Sequence, residues 1–243
     1  MTATASMLVI GDEILSGKTK DKNIGVLADA LTMVGIDLIE VRIVSDEEGA
    51  IISALNAMRT STTYVFTSGG IGPTHDDITA DSVAKAFGVG IGVDPRAYAL
   101  LSDFYDRTGR EMNAGRERMT RIPDGADLID NPVSIAPGFR LGNVHVMAGV
   151  PSVFAAMLES VLPSLNGGVP ISVQTLPFNC GEGDLAESLA SIDSHFPTVA
   201  IGSYPKLTNG RFTTEIVLRS RDKAALDAAT QAAQKLRTQM NAD

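Results

Sequence analysis

The sequence predicts a three-layer α/β/α fold built on a mostly parallel sheet, followed by a small α+β unit. Three observations lead there. Short apolar runs of strand type alternate with stretches whose apolar residues recur at helical spacing. Polar, glycine-containing loops follow three of the strand runs, at residues 11–23, 68–79 and 148–152. Past a Gly-Gly-Val-Pro stretch ending at Pro170, the order changes to strand, helix, strand, strand, helix.

The first strand is Met7–Ile10, closed by Gly11-Asp12-Glu13 and a lysine-rich loop. Ile24, Leu27, Ala28, Leu31 and Val34 share one helical face, with Gly35 suited to the C-cap. Leu38–Val44 is a strand. Ser45-Asp46-Glu47-Glu48 has the pattern of a capping box, Ser45 at N-cap and Glu48 at N3. It opens a helix striped by Ile51, Ile52, Leu55 and Met58. Thr63–Thr67 is the next strand, leading into a glycine-rich turn and a helix containing Val83, Ala84, Ala86 and Phe87. Val89–Val93 is a further short strand, and Asp94-Pro95 opens a helix with Pro at N1. Residues 107–125 are polar and arginine-rich, so loop or short helix is expected.

Phe139–Leu141 and Val144–Met147 flank Gly142-Asn143 and predict a hairpin, with His145 on the face opposite Val144 and Val146. Gly149-Val150-Pro151-Ser152 opens a helix that turns Phe154, Met157, Leu158, Val161 and Leu162 inward and stops at Pro163. The first domain is thus expected over 1–165 and the second over 171–243, with 164–170 as linker. In the second, strands at 171–178, 198–204 and 212–220 accompany helices at about 183–194 and 223–240, the last striped by Leu226, Ala229, Ala233, Leu236 and Met240. Its 73 residues are near the lower limit for independent stability, so it should pack on the first domain or on a partner chain.

Composition narrows the function classes. There is one cysteine, Cys180, so no disulfide framework forms within the chain. No apolar run is long enough for a membrane span, and no basic residue precedes Met7–Ile10 as a leader would require. A cytoplasmic protein is expected. A net charge of −9 disfavours nucleic acid and anionic membrane as partners. The excess acid is uneven: residues 1–170 carry 13 Lys/Arg against 21 Asp/Glu, and so hold nearly all of it.

That acidic part contains Thr67-Ser-Gly-Gly-Ile-Gly-Pro-Thr-His-Asp-Asp-Ile-Thr79. A glycine-rich turn between strand and helix is an anion site, because backbone N–H groups converge on it. The loop is neither GxGxxG nor a P-loop, which removes dinucleotide hydride transfer and P-loop NTP hydrolysis. Ser68, Gly69, Gly70, Gly72, Pro73, Thr74 and Thr79 are the candidate phosphate contacts. The bland alternative is a connecting turn. Asp76 and Asp77 are candidate catalytic acids or metal ligands, since two adjacent carboxylates repel unless a divalent cation lies between them. Helix-dipole stabilisation accounts for one of them. His75, without a second His or Cys nearby, is expected to be a hydrogen-bonding loop residue. Cys180 has no evident base, and His195 ends a helix. Gly11, Asp12 and Glu13 follow a strand and are candidates for the same site, or solvated turn residues.

Taken in order, Gly11-Asp-Glu-Ile-Leu-Ser-Gly17 with Asn23, the 67–79 loop, Asn131-Pro with Ala136-Pro137-Gly138, and Gly149-Val-Pro151 resemble the molybdopterin-binding domain superfamily. That group includes MoaB, MogA, the N-terminal part of CinA and the N-terminal domain of FAD synthase. Residues 171–243 resemble the KH-like domain of CinA proteins, without a Gly-x-x-Gly loop. The resemblance implies a MoaB/MogA-like fold and a site for a phosphorylated pterin or nucleotide. In CinA-type and FAD-synthase-type members it implies pyrophosphate cleavage of ADP-ribose or FAD with a divalent metal such as Mg²⁺, Mn²⁺ or Co²⁺. Asp76 and Asp77 become metal or catalytic acids. Gly11, Asp12, Glu13, Asn23, Pro137, Gly138, Gly149, Pro151 and Ser152 join the glycine loop as ligand contacts. The resemblance also implies a homo-oligomer. The alternatives are a module that holds molybdopterin without turnover, and a non-catalytic protein partner. Val153 stands where many CinA-type chains carry Glu.

Overall fold

The computed structural model describes residues 2–208 and 211–240. The chain divides into two compact units between Gly168 and Val169.

The first unit begins with β1 (Thr4–Ile10), the short α1 (Asp12–Leu15), α2 (Asn23–Met33), β2 (Asp37–Val44), α3 (Glu48–Ser61), β3 (Tyr64–Ser68) and α4 (Thr79–Phe87). It continues with β4 (Ile91–Val93), α5 (Pro95–Arg107), α6 (Ala114–Arg118), β5 (Arg121–Pro123), β6 (Asp127–Ile129), β7 (Gly138–Leu141), β8 (Val144–Met147) and α7 (Pro151–Val161). The main sheet has the order β2-β1-β3-β8-β7-β6. Strands β2, β1, β3 and β8 run parallel, and β7 is antiparallel to both its neighbours.

Side-chain alternation splits the core between two layers. Leu8 and Ile10 of β1 join Ile51, Leu55, Met58 and Val83 from α3 and α4 on one face. Ala5, Met7 and Val9 join Leu27, Leu31, Phe154 and Met157 from α2 and α7 on the other. Central strands of a parallel sheet are covered on both sides, which is why β1 has no polar face. Its one polar core residue, Ser6, shares a 2.9 Å hydrogen bond with Thr62.

Helix ends follow local chemistry. Gly35 has φ 72° one residue past the α2 C-cap, and the Ile36 N–H returns to Leu31 O at 2.9 Å. Asp94 caps α5 by accepting from Arg96 N and Ala97 N.

Four expectations change. The capping box at Ser45 does not form: α3 starts at Glu48 with Glu47 as N-cap and no side-chain cap bond. Asp46 is drawn away instead, its Oδ2 accepting from the Asp12 N–H at 2.9 Å. Val89–Val93 shortens to β4, which pairs only with β5 in a separate ribbon. The 107–125 segment holds both α6 and β5. His145 does face away from Val144 and Val146, but its face is buried too: its ring stacks on Phe66 with centroids 5.0 Å apart. Alternation here separates two cores.

The second unit runs β9 (Ser172–Phe178), α8 (Glu182–His195), β10 (Ala200–Thr208), β11 (Arg211–Ser220) and α9 (Lys223–Met240). Its antiparallel sheet has the order β10-β11-β9. Leu185 of α8 and Leu226, Ala229 and Ala233 of α9 pack on Leu176, Ile216 and Leu218. Cys180 is half-buried, its thiol pushed up by burial and then by the charge of Asp184, away from thiolate chemistry. His195 closes α8 with Nδ1 2.7 Å from Ser191 O.

Candidate functional site

Loops following β1, β3 and β8 meet at the C-terminal edge of the parallel strands, where open α/β sheets place their ligands. They enclose a cleft of about 610 Å³, within the range of nucleotide- and cofactor-sized pockets. Glu13 and Thr19 enter from the β1 loop, Gly69 to Pro73 with Asp76 and Asp77 from the β3 loop, and Gly149 to Pro151 from the β8 loop.

The β3 loop is held by its own side chains. Asp77 Oδ2 accepts from Thr74 N at 2.8 Å and from Thr74 Oγ1 at 2.6 Å. Arg118 Nη2 donates to the Asp77 carbonyl at 2.9 Å. A Cβ at Gly72 would crowd the Asp77 carboxylate, so a larger residue there would push on the Asp77–Thr74 contact. Buried Thr79 donates from Oγ1 to Gly69 O and from N to Gly70 O, both at 3.0 Å.

The β3 and β8 loops are in backbone contact. A Cβ at Gly149 would lie 3.2 Å from Gly69 Cα, and one at Gly69 would overlap Ile10 O. Buried Asn23 spans the junction, its Nδ2 donating to Ser68 Oγ at 2.7 Å and to Gly149 O at 2.8 Å.

Acids dominate the electrostatics. Exposed Asp76 is held below the usual carboxylate range by the nearby Thr74 hydroxyl, then by its own backbone N–H. It is ionised at neutral pH and does not share the pinning role of Asp77. Half-buried Asp46 shifts the other way. Burial raises it first, the Asp12 N–H opposes, and the charges of Asp12, Glu13 and Asp76 raise it further. Glu13, Asp46, Asp76 and Asp77 line the cleft, and among the described residues no Lys or Arg does.

The candidate residues therefore separate. Glu13, Gly69, Gly70, Gly72, Pro73, Asp76, Asp77, Gly149 and Pro151 line the cleft. Thr74 pins the loop, while Asn23, Ser68 and Thr79 are buried and fasten loop to loop. Gly11 lies under the Glu13 carboxylate, and Asp12 anchors Asp46 through its N–H. Gly138 is a packing position where a Cβ would overlap Val146 O. Pro137 lines a small neighbouring cavity with Asp77, Asp81, Arg118 and Arg121, and Ser152 lies in the exposed first turn of α7. His75 is exposed, and its ring makes no hydrogen bond among the described residues, contrary to expectation.

Residues 6–167 match the family model described as "Probable molybdopterin binding domain". The chain belongs to the molybdopterin-binding-domain family. Residues 170–242 match the model "FAD synthase, middle domain". A "CinA-like protein" of Geobacter metallireducens is 34% identical over 206 residues, covering 81% of this chain and 50% of that protein. An Aeropyrum pernix relative, named only "Protein", is 33% identical over 215 residues, covering 83% of this chain and 79% of its own length. The chain spans 64% of a Caldivirga maquilingensis relative and about half of the Geobacter one. Among solved structures, the protein CinA of Thermoplasma acidophilum aligns with TM-score 0.62 and 30% identity, covering 67% of this chain and 98% of that one. The protein is CinA-like. Among the described residues, no helix is long and apolar enough to cross a membrane.

In this molybdopterin-binding-family cleft, the sequence reading missed Thr19, Asp46, Met119 and Ser134. Asp46 lies between Ser45 and Glu48, the two residues of the expected capping box, and has no role in that pattern. Ser134 belongs to a loop organised by buried Asn131, which donates from Nδ2 to Ser134 Oγ and Ala136 O and accepts on Oδ1 from Val133 N and Ser134 N. Ile135 in this loop has φ 68°, a costly conformation for a β-branched residue that the Asn131 bonds enforce.

Proposed function

We propose that the cleft binds the diphosphate of a dinucleotide and hydrolyses it with the help of a divalent cation, ADP-ribose and FAD being the candidate substrates. The charge of the cleft carries this reading. Among the described residues, four carboxylates line it and no basic residue does, yet its floor is a glycine loop of the kind that suits phosphate. An anionic ligand enters such a cleft only with a cation.

A hard divalent ion such as Mg²⁺, Mn²⁺ or Co²⁺ fits the donor set. Such ions take one or two carboxylates and fill the remaining positions with water and substrate phosphate. Among the described residues, no three His, Cys, Asp or Glu converge into a cage, so the ion would be shared with the ligand. Asp76, ionised and exposed, is the carboxylate to hold it. Asp77 spends Oδ2 on Thr74 and offers its second oxygen. When bound, the ion would polarise the phosphoryl group and offset its charge. The glycine-loop N–H groups would meet the phosphoryl oxygens where charge builds. Water adds to one phosphorus, and the bridging oxygen leaves with the other phosphate. ADP-ribose then gives AMP and ribose 5-phosphate, and FAD gives AMP and FMN.

The test is release of AMP from each dinucleotide with each metal, for wild type and Asp76→Asn. A loss of about 10²-fold or more in the variant is expected. A wild type inert under every combination ends the catalytic reading. One observation favours a second reading: Asp77 acts as a loop pin, so the site could hold a molybdopterin or nucleotide without turnover. Tight pterin binding with no product would support it.

A further inference from the structure

The loop between β6 and β7 stores strain. Among the described residues, Ile135 is the only non-glycine residue with a positive φ, 68°, and a β-branched side chain rarely takes that conformation. Such strain persists only where neighbours enforce it, and it gathers at ligand clamps. Here buried Asn131 enforces it. Its Nδ2 donates to Ser134 Oγ at 2.6 Å and to Ala136 O at 2.7 Å, and its Oδ1 accepts from Val133 N at 3.2 Å and Ser134 N at 3.1 Å. The loop held in this way brings exposed Ser134 to the wall of the cleft.

Ser134 is a preset donor there. A hydroxyl has one hydrogen to give and two acceptor positions. The Asn131 bond fills an acceptor position and fixes the oxygen, and among the described residues the hydroxyl donates to nothing. The charged side chains of the lining are carboxylates, and Asn131 spends both amide hydrogens inside its own loop. Thr19 also brings a hydroxyl, but among the described residues no hydrogen bond fixes its oxygen. The Ser134 loop lies alongside the glycine turn: Pro137 shares a small cavity with Gly70, Gly72 and Asp77, and Met119 lines both that cavity and the cleft.

We infer that Ser134 binds the ligand directly, donating to an oxygen of the second phosphate of a diphosphate whose first phosphate rests on the N–H groups of the glycine turn. This rests on the proposed ligand, since it needs a diphosphate in the cleft. The contact selects diphosphates over monophosphates without adding positive charge. A lone phosphate is held by the turn and gains nothing from Ser134. The hydroxyl serves binding and transfers no proton in the hydrolysis.

The test is the affinity of ADP and of AMP, by calorimetry with Mg²⁺ present, for wild type, Ser134→Ala and Ser134→Thr, with thermal unfolding to confirm folding. The alanine variant leaves Asn131 bonded to Ala136 O, Val133 N and the N–H of position 134, so the loop keeps its shape. It should bind ADP about 3- to 10-fold more weakly, the worth of one neutral hydrogen bond, and AMP as wild type does. Ser134→Thr keeps the hydroxyl and should bind ADP like wild type. Equal ADP affinity in wild type and Ser134→Ala, an equal loss for ADP and AMP, a folded threonine variant as weak as alanine, or a wild type without affinity for ADP would each overturn the inference. AMP release from dinucleotides is measured separately. A wild type that shows this ADP pattern and releases no AMP ends the catalytic reading and leaves Ser134 as a diphosphate contact.

Discussion

Replacing Asp77 separates loop architecture from chemistry. Its Oδ2 accepts two bonds from Thr74, and its carbonyl accepts one from Arg118. Asp77→Ala removes the first two and leaves the third. Hydrogen bonds to a charged group contribute about 1.5–3 kcal/mol each when buried, but Asp77 is half-buried and water replaces part of what is lost. The expected cost is therefore about 1–3 kcal/mol in total. For a unit of this size that lowers Tm by roughly 2–4 °C per kcal/mol. Asp77→Asn keeps an acceptor oxygen in place and should cost less than about 1 kcal/mol. The assay is thermal unfolding of the three proteins, with limited proteolysis across residues 70–78 as the local readout. The alanine variant should be cleaved faster there, and the asparagine variant should resemble wild type. Equal stability and equal proteolysis in all three would refute the pinning role. If the pin is confirmed while Asp77→Asn still loses AMP release, the charge serves chemistry in addition to the loop.

The other predictions come from buried positions. His145 titrates at about 4, pushed down from its ordinary value by burial and then by Arg140. The unfolded chain takes up that proton first as pH falls, so stability is complete above about 6.5 and drains through the window down to about 4, by up to about 3 kcal/mol. Urea unfolding at neutral and acidic pH should show this, and His145→Gln should flatten the slope; an unchanged slope would count against it. Gly69→Ala meets both a φ of 107° and overlap with Ile10 O, and should cost about 2–4 kcal/mol in thermal unfolding. A neutral variant would mean that the β3 loop shifts freely.

Much of the fold was legible because period and punctuation agree. Leu27 and Leu31 keep helical spacing and a glycine follows at 35, so α2 is fixed by local information. What was not legible depends on distant partners. Asp46 sits inside a Ser45–Glu48 capping pattern that gives it no role, and its bond to Asp12, 34 positions away, is not visible in the local sequence. β6 has three residues and no pattern of its own; it exists because β7 lies beside it. His145 alternates like an edge residue, and its burial follows from the Phe66 ring across β3. In the site, residue types identified the glycine loop. They did not separate lining residues from fasteners, since Asn23, Ser68 and Thr79 carry the same polar groups as a ligand contact.

The adjacent acids illustrate the limit of a motif. Asp76-Asp77 offers two carboxylates, but adjacent residues point in different directions, so only one is expected to ligate an ion directly; Asp77 turns to Thr74 while Asp76 stays in solvent. If the cleft holds a cation at Asp76, Asp46 is a neighbouring carboxylate that would feel it: after burial, the charges of Asp12, Glu13 and Asp76 contribute to its upward shift. That grouping draws on three separate segments, the turn after β1, the turn after β2 and the loop after β3. Repulsion among them is a cost that folding tolerates without a ligand and that a bound cation would relieve. Metal addition should therefore stabilise wild type against heat more than Asp46→Asn, and equal shifts in the two proteins would exclude Asp46 from the site.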